Sequence, residues 1–98
     1  MGHLVDKTVQ NTKELGALIR AVRKAQGIRQ DELAAMVPAS HTFIIDVERG
    51  KATAHLGKVL DLLRELGIKV TLDIPEAAAQ RLESKSPARK TRGARGNG

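Results

Sequence analysis

Few side chains in this sequence offer chemistry. Three histidines, His3, His41 and His55, are scattered without metal-ligand spacing, and there is no cysteine. Zinc sites, disulfides and thiol reactions therefore drop out. No histidine–carboxylate cluster and no phosphate-cradling glycine loop occurs, so no residue is a candidate for catalysis, for a metal or for a cofactor. What remains is a row of hydrogen-bonding groups within residues 29–50. At about 100° per residue, Thr42, Asp46 and Arg49 fall on one side of a helix running from His41 to Arg49, and Ile44 and Val47 fall on the other. An apolar pair would anchor such a helix while its polar row faces outward. Base edges in a DNA groove are read from the first turns of a helix presented in this way.

Two short helices must position that row. Gln30 to Val37 has Leu33 and Val37 one turn apart, with the small Ala34 beside them to allow close approach. Pro38-Ala39-Ser40 breaks the period, Ser40 is a good N-cap for the second helix, and Gly50 closes it. Upstream, Thr12 is the expected N-cap of an amphipathic helix carrying Leu15, Leu18, Ile19, Val22 and Ala25, ended by Gly27. Downstream, Thr53 is the expected N-cap of a helix defined by Leu56, Val59, Leu60, Leu63 and Leu66, ended by Gly67. Leu62 lies off that stripe, and surplus apolar surface of this kind marks a subunit contact.

From Ile68 to Ile74 the period changes from 3.6 to 2, with apolar Ile68, Val70, Leu72 and Ile74 alternating with polar residues until Pro75. A lone strand cannot satisfy its backbone groups. The economical partner is the same strand of a second copy, antiparallel about a two-fold axis, with the N-terminal His3–Val9 segment as the alternative. The expected dimerisation set is Leu62, Leu66, Ile68, Val70, Leu72 and Ile74.

Composition bounds the rest. Ninety-eight residues with 41% apolar content suit one small domain. No apolar run approaches a bilayer span and no leader-like stretch opens the chain, so a cytoplasmic protein is expected. The net charge of +6 suggests a polyanionic partner, but Lys85, Arg89, Lys90, Arg92 and Arg95 lie in a C-terminal stretch without acidic residues. The rest of the chain holds 12 basic against 11 acidic residues, so any phosphate-binding surface on the fold must come from local placement. The expected organisation is a flexible arm over 1–11, a domain over 12–74 and a basic, largely disordered tail over 75–98. That tail begins with a possible short helix through Ala77-Ala78-Ala79.

Gln30-Asp31-Glu32-Leu33-Ala34, followed by Ser40, Ile44 and Glu48-Arg49-Gly50-Lys51, resembles the helix-turn-helix of the phage-repressor-like (Cro/C1, XRE) family. Phe43, Asp46, Thr53 and the run from Leu56 to Gly67, with the terminal strand and basic tail, look like its HipB-type antitoxin branch. The likeness spans about residues 12–74. It implies an all-α, four- to five-helix lambda-repressor-like domain plus one C-terminal strand paired across a dimer. It also implies a homodimeric, non-enzymatic repressor on an inverted-repeat operator in double-stranded DNA, associated with the bacterial nucleoid when bound. A HipA-type serine/threonine kinase toxin is the implied protein partner. The alternatives are a freestanding regulator without a toxin and a helical protein–protein adaptor.

By this resemblance His41, Thr42 and Asp46 match base-contacting positions, and Gln30, Ser40, Arg49 and Lys51 match phosphate-contacting ones; Phe43 joins the first set as a candidate and Arg29, which can reach a phosphate, the second. Arg23 and Glu48 match a buried ion pair. Asp46 faces phosphate repulsion unless it accepts from a cytosine amino group, and Phe43 divides between a thymine methyl and packing on a neighbouring helix. Two positions depart from the pattern. Arg29 stands where Ser or Thr usually caps, and Pro38 stands in the turn where Gly is usual. Because proline resists positive φ, the turn is expected to differ slightly.

Overall fold

The computed structural model describes residues 3–85, which form helices α1 (Thr12–Ala25), α2 (Gln30–Met36), α3 (His41–Glu48), α4 (Leu56–Glu65) and α5 (Glu76–Lys85). The fold class is all-α, as expected. The core is built from one or two faces of each of the first four helices: Ile19, Leu33, Ala34, Val37, Ile44, Val47, Val59, Leu62, Leu63 and Leu66. Ile19, Leu33, Ile44 and Leu62 are fully buried and mark its centre.

Helix α3 lies between α1 and α2 and packs against both. The contact with α1 is unusually close because it is made at a glycine. A Cβ built on Gly16 would stand 2.3 Å from the carbonyl oxygen of Val47 and 2.7 Å from that of Glu48. Backbone atoms cannot swing aside as a side chain can, so the approach requires the missing Cβ. A glycine inside an amphipathic helix signals close packing of this kind, although its partner cannot be read locally.

Two of the expected caps shift by a residue or two. Asn11, not Thr12, caps α1: its Oδ1 accepts from the N–H of Glu14 at 2.8 Å. Thr12 instead donates its hydroxyl to the carbonyl of Gly50 at 2.8 Å, tying the start of α1 to the exit of α3. His55, not Thr53, caps α4, with Nδ1 accepting from the N–H of Lys58 at 3.3 Å. Ser40 caps α3 as expected, its Oγ accepting from the N–H of Phe43 at 3.0 Å. Helix α2 has no side-chain acceptor at Arg29, and Glu32 Oε1 reaches back to the Arg29 N–H at 2.8 Å instead.

Helices α1, α3 and α4 end alike. Gly27, Gly50 and Gly67 take positive φ one residue beyond the cap, and the next residue donates back to a carbonyl five positions earlier: Ile28 to Arg23, Lys51 to Asp46, and Ile68 to Leu63. In each case the glycine N–H makes the companion bond. Helix α2 ends in the same motif, with Ala39 donating to Ala34 at 2.9 Å, but its left-handed position is Pro38, at φ +24°. The turn therefore differs slightly, as expected: Pro38 stands well short of the +73° to +89° of the three glycines and has no N–H for the companion bond.

The stripe of α4 also differs from expectation. Val59, Leu62, Leu63 and Leu66 form its buried face, whereas Leu56 and Leu60 are exposed. An apolar helix with residues on two possible faces fits either phase, and packing against the core selects one. Beyond α4, Ile68 packs against the core, but residues 69–74 carry no regular secondary structure, and no strand occurs among the described residues. Helix α5 occupies the first part of the segment expected to be largely disordered; residues 86–98 lie outside the described residues, and so does most of that expectation. Residues 3–10 are exposed and lack regular structure.

The strained end of α2 predicts a stabilising substitution. Pro38→Gly would replace a ring that holds φ near about −65° at a position the fold sets at +24°, and restore one terminal hydrogen bond. Set against this is about 1 kcal/mol for the added freedom of the unfolded chain. A net gain of roughly 1–2 kcal/mol is expected in urea unfolding, and a loss would show that the turn is not strained.

Candidate nucleic-acid interface

A buried ion pair holds the site together. Arg23 on α1 donates from Nε to Glu48 Oε2 at 2.6 Å and from Nη2 to Glu48 Oε1 at 3.1 Å, and both side chains are buried. Its Nη1 donates to the carbonyl of Ile28 at 2.8 Å, so the guanidinium also fixes the link between α1 and α2. The pair therefore joins three elements: the end of α1, the entry to α2 and the last turn of α3. This is the arrangement expected for Arg23 and Glu48.

From Glu48 a polar chain runs outward. Gln30, the first residue of α2, places Nε2 3.0 Å from Glu48 Oε1, and its Oε1 lies 3.2 Å from His41 Nε2 at the start of α3. The half-buried Gln30 thus connects the buried pair to the exposed His41. Sequence reasoning named all four residues but did not join Gln30 to its neighbours, because neither contact is local in the chain.

The outward surface carries the other expected contacts in varied states. Thr42 and Arg49 are exposed, and neither side chain has a hydrogen-bond partner among the described residues. The Ser40 oxygen accepts in the cap, leaving its own proton to donate outward. Asp46 Oδ2 lies 3.4 Å from Lys51 Nζ, so its charge is engaged locally. Arg29 donates from Nε to Asp31 Oδ1 at 3.1 Å, a bond that holds the Asp31 carboxyl below its usual range and raises Arg29 further. The pair is exposed, so solvent screens it and it exchanges readily. Phe43 is half-buried against the core, with Lys58 Nζ 5.9 Å from its ring centroid, in keeping with the packing alternative given for it.

The expected dimerisation residues divide. Leu62 and Leu66 are fully or nearly fully buried within the single chain, so they cannot also form a surface for a second subunit. That expectation is corrected: the apparent surplus on α4 belongs to the core. Ile68 is half-buried, while Val70, Leu72 and Ile74 are exposed. Among the described residues no group of acidic and imidazole side chains is placed to hold a metal ion, and no helix is long and apolar enough to cross a membrane.

Two short helices, the second anchored by its apolar face and capped so that its polar first turn projects, define a helix-turn-helix. The helix-turn-helix family model matches residues 19–72, and the chain belongs to that family, as a DNA-binding transcriptional regulator of the XRE type. Over 69 residues it is 45% identical to the uncharacterized HTH-type transcriptional regulator y4mF of Sinorhizobium fredii, a match spanning 70% of this chain and 91% of the relative. In fold it is similar to the protein in a HipB–O4 20mer complex, with a TM-score of 0.65 and 21% identity over 72% of this chain and all of the other. A HipA–HipB–O2–O3 complex gives a TM-score of 0.66, also at 21% identity, over 72% of this chain and all of that one.

Breaking the buried pair should be costly. Glu48→Ala leaves the Arg23 guanidinium buried without its counter-charge and is expected to cost about 3–5 kcal/mol in urea unfolding. Replacing Arg23 and Glu48 together by leucine should cost markedly less than the two single losses added. Additive losses would mean that the two residues do not act as a pair.

Proposed function

We propose that the protein is a homodimeric repressor that places one α3 helix per subunit in successive major grooves of an inverted-repeat operator. The observation that carries this reading is the presentation of α3. Its core side is held by Ile44, Val47 and the Arg23–Glu48 pair, while His41 and Thr42 face outward at its capped N-terminus and Arg49 and Lys51 lie exposed at its C-terminal end. Gln30, Ser40, Arg49 and Lys51 would contact phosphates and set the register, joined by Arg29 once it leaves Asp31. His41 and Thr42 would read bases, and Asp46 would steer Lys51 rather than touch a base.

The second subunit would pair at residues 68–74. Val70, Leu72 and Ile74 alternate, are exposed and lack a backbone ladder among the described residues, which supports antiparallel pairing with the same segment of another copy. Such pairing would set the spacing of the two recognition helices. The likeness to the HipB fold supports an antitoxin that represses its own operon in the bacterial cytoplasm and binds a HipA-type serine/threonine kinase. A freestanding regulator is the second reading, favoured by the 45%-identical relative, whose name records transcriptional regulation alone. Co-purification with a HipA-type kinase encoded beside the gene separates the two: capture supports the antitoxin, and its absence leaves the freestanding regulator.

A gel shift with DNA from upstream of the protein's own gene tests the reading. Lys51→Ala is expected to weaken binding to all sequences alike and reduce the salt slope by about one, and Thr42→Ala to weaken operator binding by about 1–3 kcal/mol with altered preference. No shift at any low salt concentration would end the DNA reading and leave a helical adaptor. A Val70→Lys/Leu72→Lys double substitution, at positions outside the core, should give a folded monomer by light scattering. If the mass stays that of a dimer, pairing through residues 68–74 is wrong.

A further inference from the structure

The hydrogen-bond polarity of the recognition surface is set from inside the fold. Glu48 is held as a carboxylate by two bonds from Arg23, so each of its oxygens accepts and neither donates. At 3.0 Å from such an oxygen, only the nitrogen end of the Gln30 amide can face it. That turns the amide oxygen toward His41 Nε2, 3.2 Å away. An amide oxygen only accepts, so the ring nitrogen opposite it must carry a proton. An uncharged imidazole has a single N–H. With that proton on Nε2, Nδ1 is left as an acceptor, and it has no partner among the described residues.

We propose that the buried Arg23–Glu48 pair, acting through Gln30, fixes uncharged His41 as an Nε2–H ring that offers DNA an acceptor. His41 would then select a base presenting an exocyclic amino group in the major groove, adenine through N6 or cytosine through N4. Guanine presents only N7 and O6 there, and thymine O4 and a methyl group, so neither can donate to the ring. Glu48 and Gln30 are positioning residues for this choice. The inference rests on the base-reading role given to His41 above and specifies what that role reads.

Two measurements test it. In the free protein at pH 8, where imidazoles are uncharged, the nitrogen-15 shifts of the His41 ring should show Nε2 protonated and Nδ1 bare. A ring protonated mainly on Nδ1 overturns the proposal without reference to DNA. In selection from a library of random duplexes at the same pH, the position whose preference disappears in His41→Ala is the one the ring reads. Every base pair carries one such amino group, so its removal is the test: purine in place of adenine, or 2-pyrimidinone in place of cytosine, in the pair selected there should weaken binding by a ratio of about five, the worth of roughly one hydrogen bond. Gln30→Ala should reduce that ratio toward one while leaving preference at positions sensitive to Thr42→Ala unchanged, which loss of a phosphate contact alone would not do. Binding indifferent to removal of that amino group, or a ratio unaffected by Gln30→Ala, overturns the proposal. So does a selected operator whose preferences ignore His41→Ala, although that result leaves DNA binding intact. Failure to select any duplex would instead sink the repressor reading.

Discussion

The fold depends on how closely α1 comes to the end of α3. Gly16 lets the carbonyl oxygens of Val47 and Glu48 sit where a Cβ would otherwise stand. Two turns along α1, Arg23 meets Glu48. The two contacts act together: the glycine sets the separation of the helices, and the charge pair sets their rotation and angle. A buried ion pair is weak evidence for stability, because desolvation offsets most of its attraction. Geometric specification is the better account of this one. Its hydrogen bonds reach Ile28 and Gln30 as well, so one guanidinium and one carboxylate orient the entry to α2 and the exit of α3 together.

That coupling gives meaning to the turn between the motif helices. Both sides of the turn are anchored in the core, by Leu33 and Val37 before it and by Ile44 and Val47 after it. The chain between them must reverse in three residues while Ser40 is kept free to cap α3. A left-handed residue at position 38 makes that possible, as glycine does at the other three helix ends. Here the core dictates the backbone and proline accepts it. Local preference and tertiary packing disagree at this point, and packing prevails because displacing the anchors would expose buried apolar side chains.

Much of this was legible in the sequence. The stripes of α1 and α3, the Ser40 cap and the terminal glycines follow from periodicity and side-chain type, which are local properties. Caps at Asn11 and His55 were missed because Thr12 and Thr53 are equally able acceptors one or two residues away. In the case of Thr12, the choice goes with a tertiary partner, Gly50. Leu62 was misplaced for a related reason. Six apolar residues between Leu56 and Leu66 cover more than one face of α4 and its cap, and only the shape of the core decides which are buried. The Gln30 contacts, which complete the site, join residues 18 and 11 positions apart and leave no local trace.

Charge placement ties the fold to its proposed task. Outside the C-terminal stretch the chain is nearly neutral, so no broad positive field holds it on DNA regardless of pose. Arg29 and Lys51, two of the cations beside α3, already face carboxylates at Asp31 and Asp46. Both pairs are exposed and worth little, so a phosphate can replace the carboxylate at small cost. Each replacement, however, leaves a carboxylate near the DNA unless the whole interface is in register to compensate. Cations guarded in this way gain most in the aligned pose and least in sliding or misaligned ones. A surface with modest bulk charge can thereby favour a specific site over the excess of non-specific DNA, provided that a second α3 helix is held at the matching spacing.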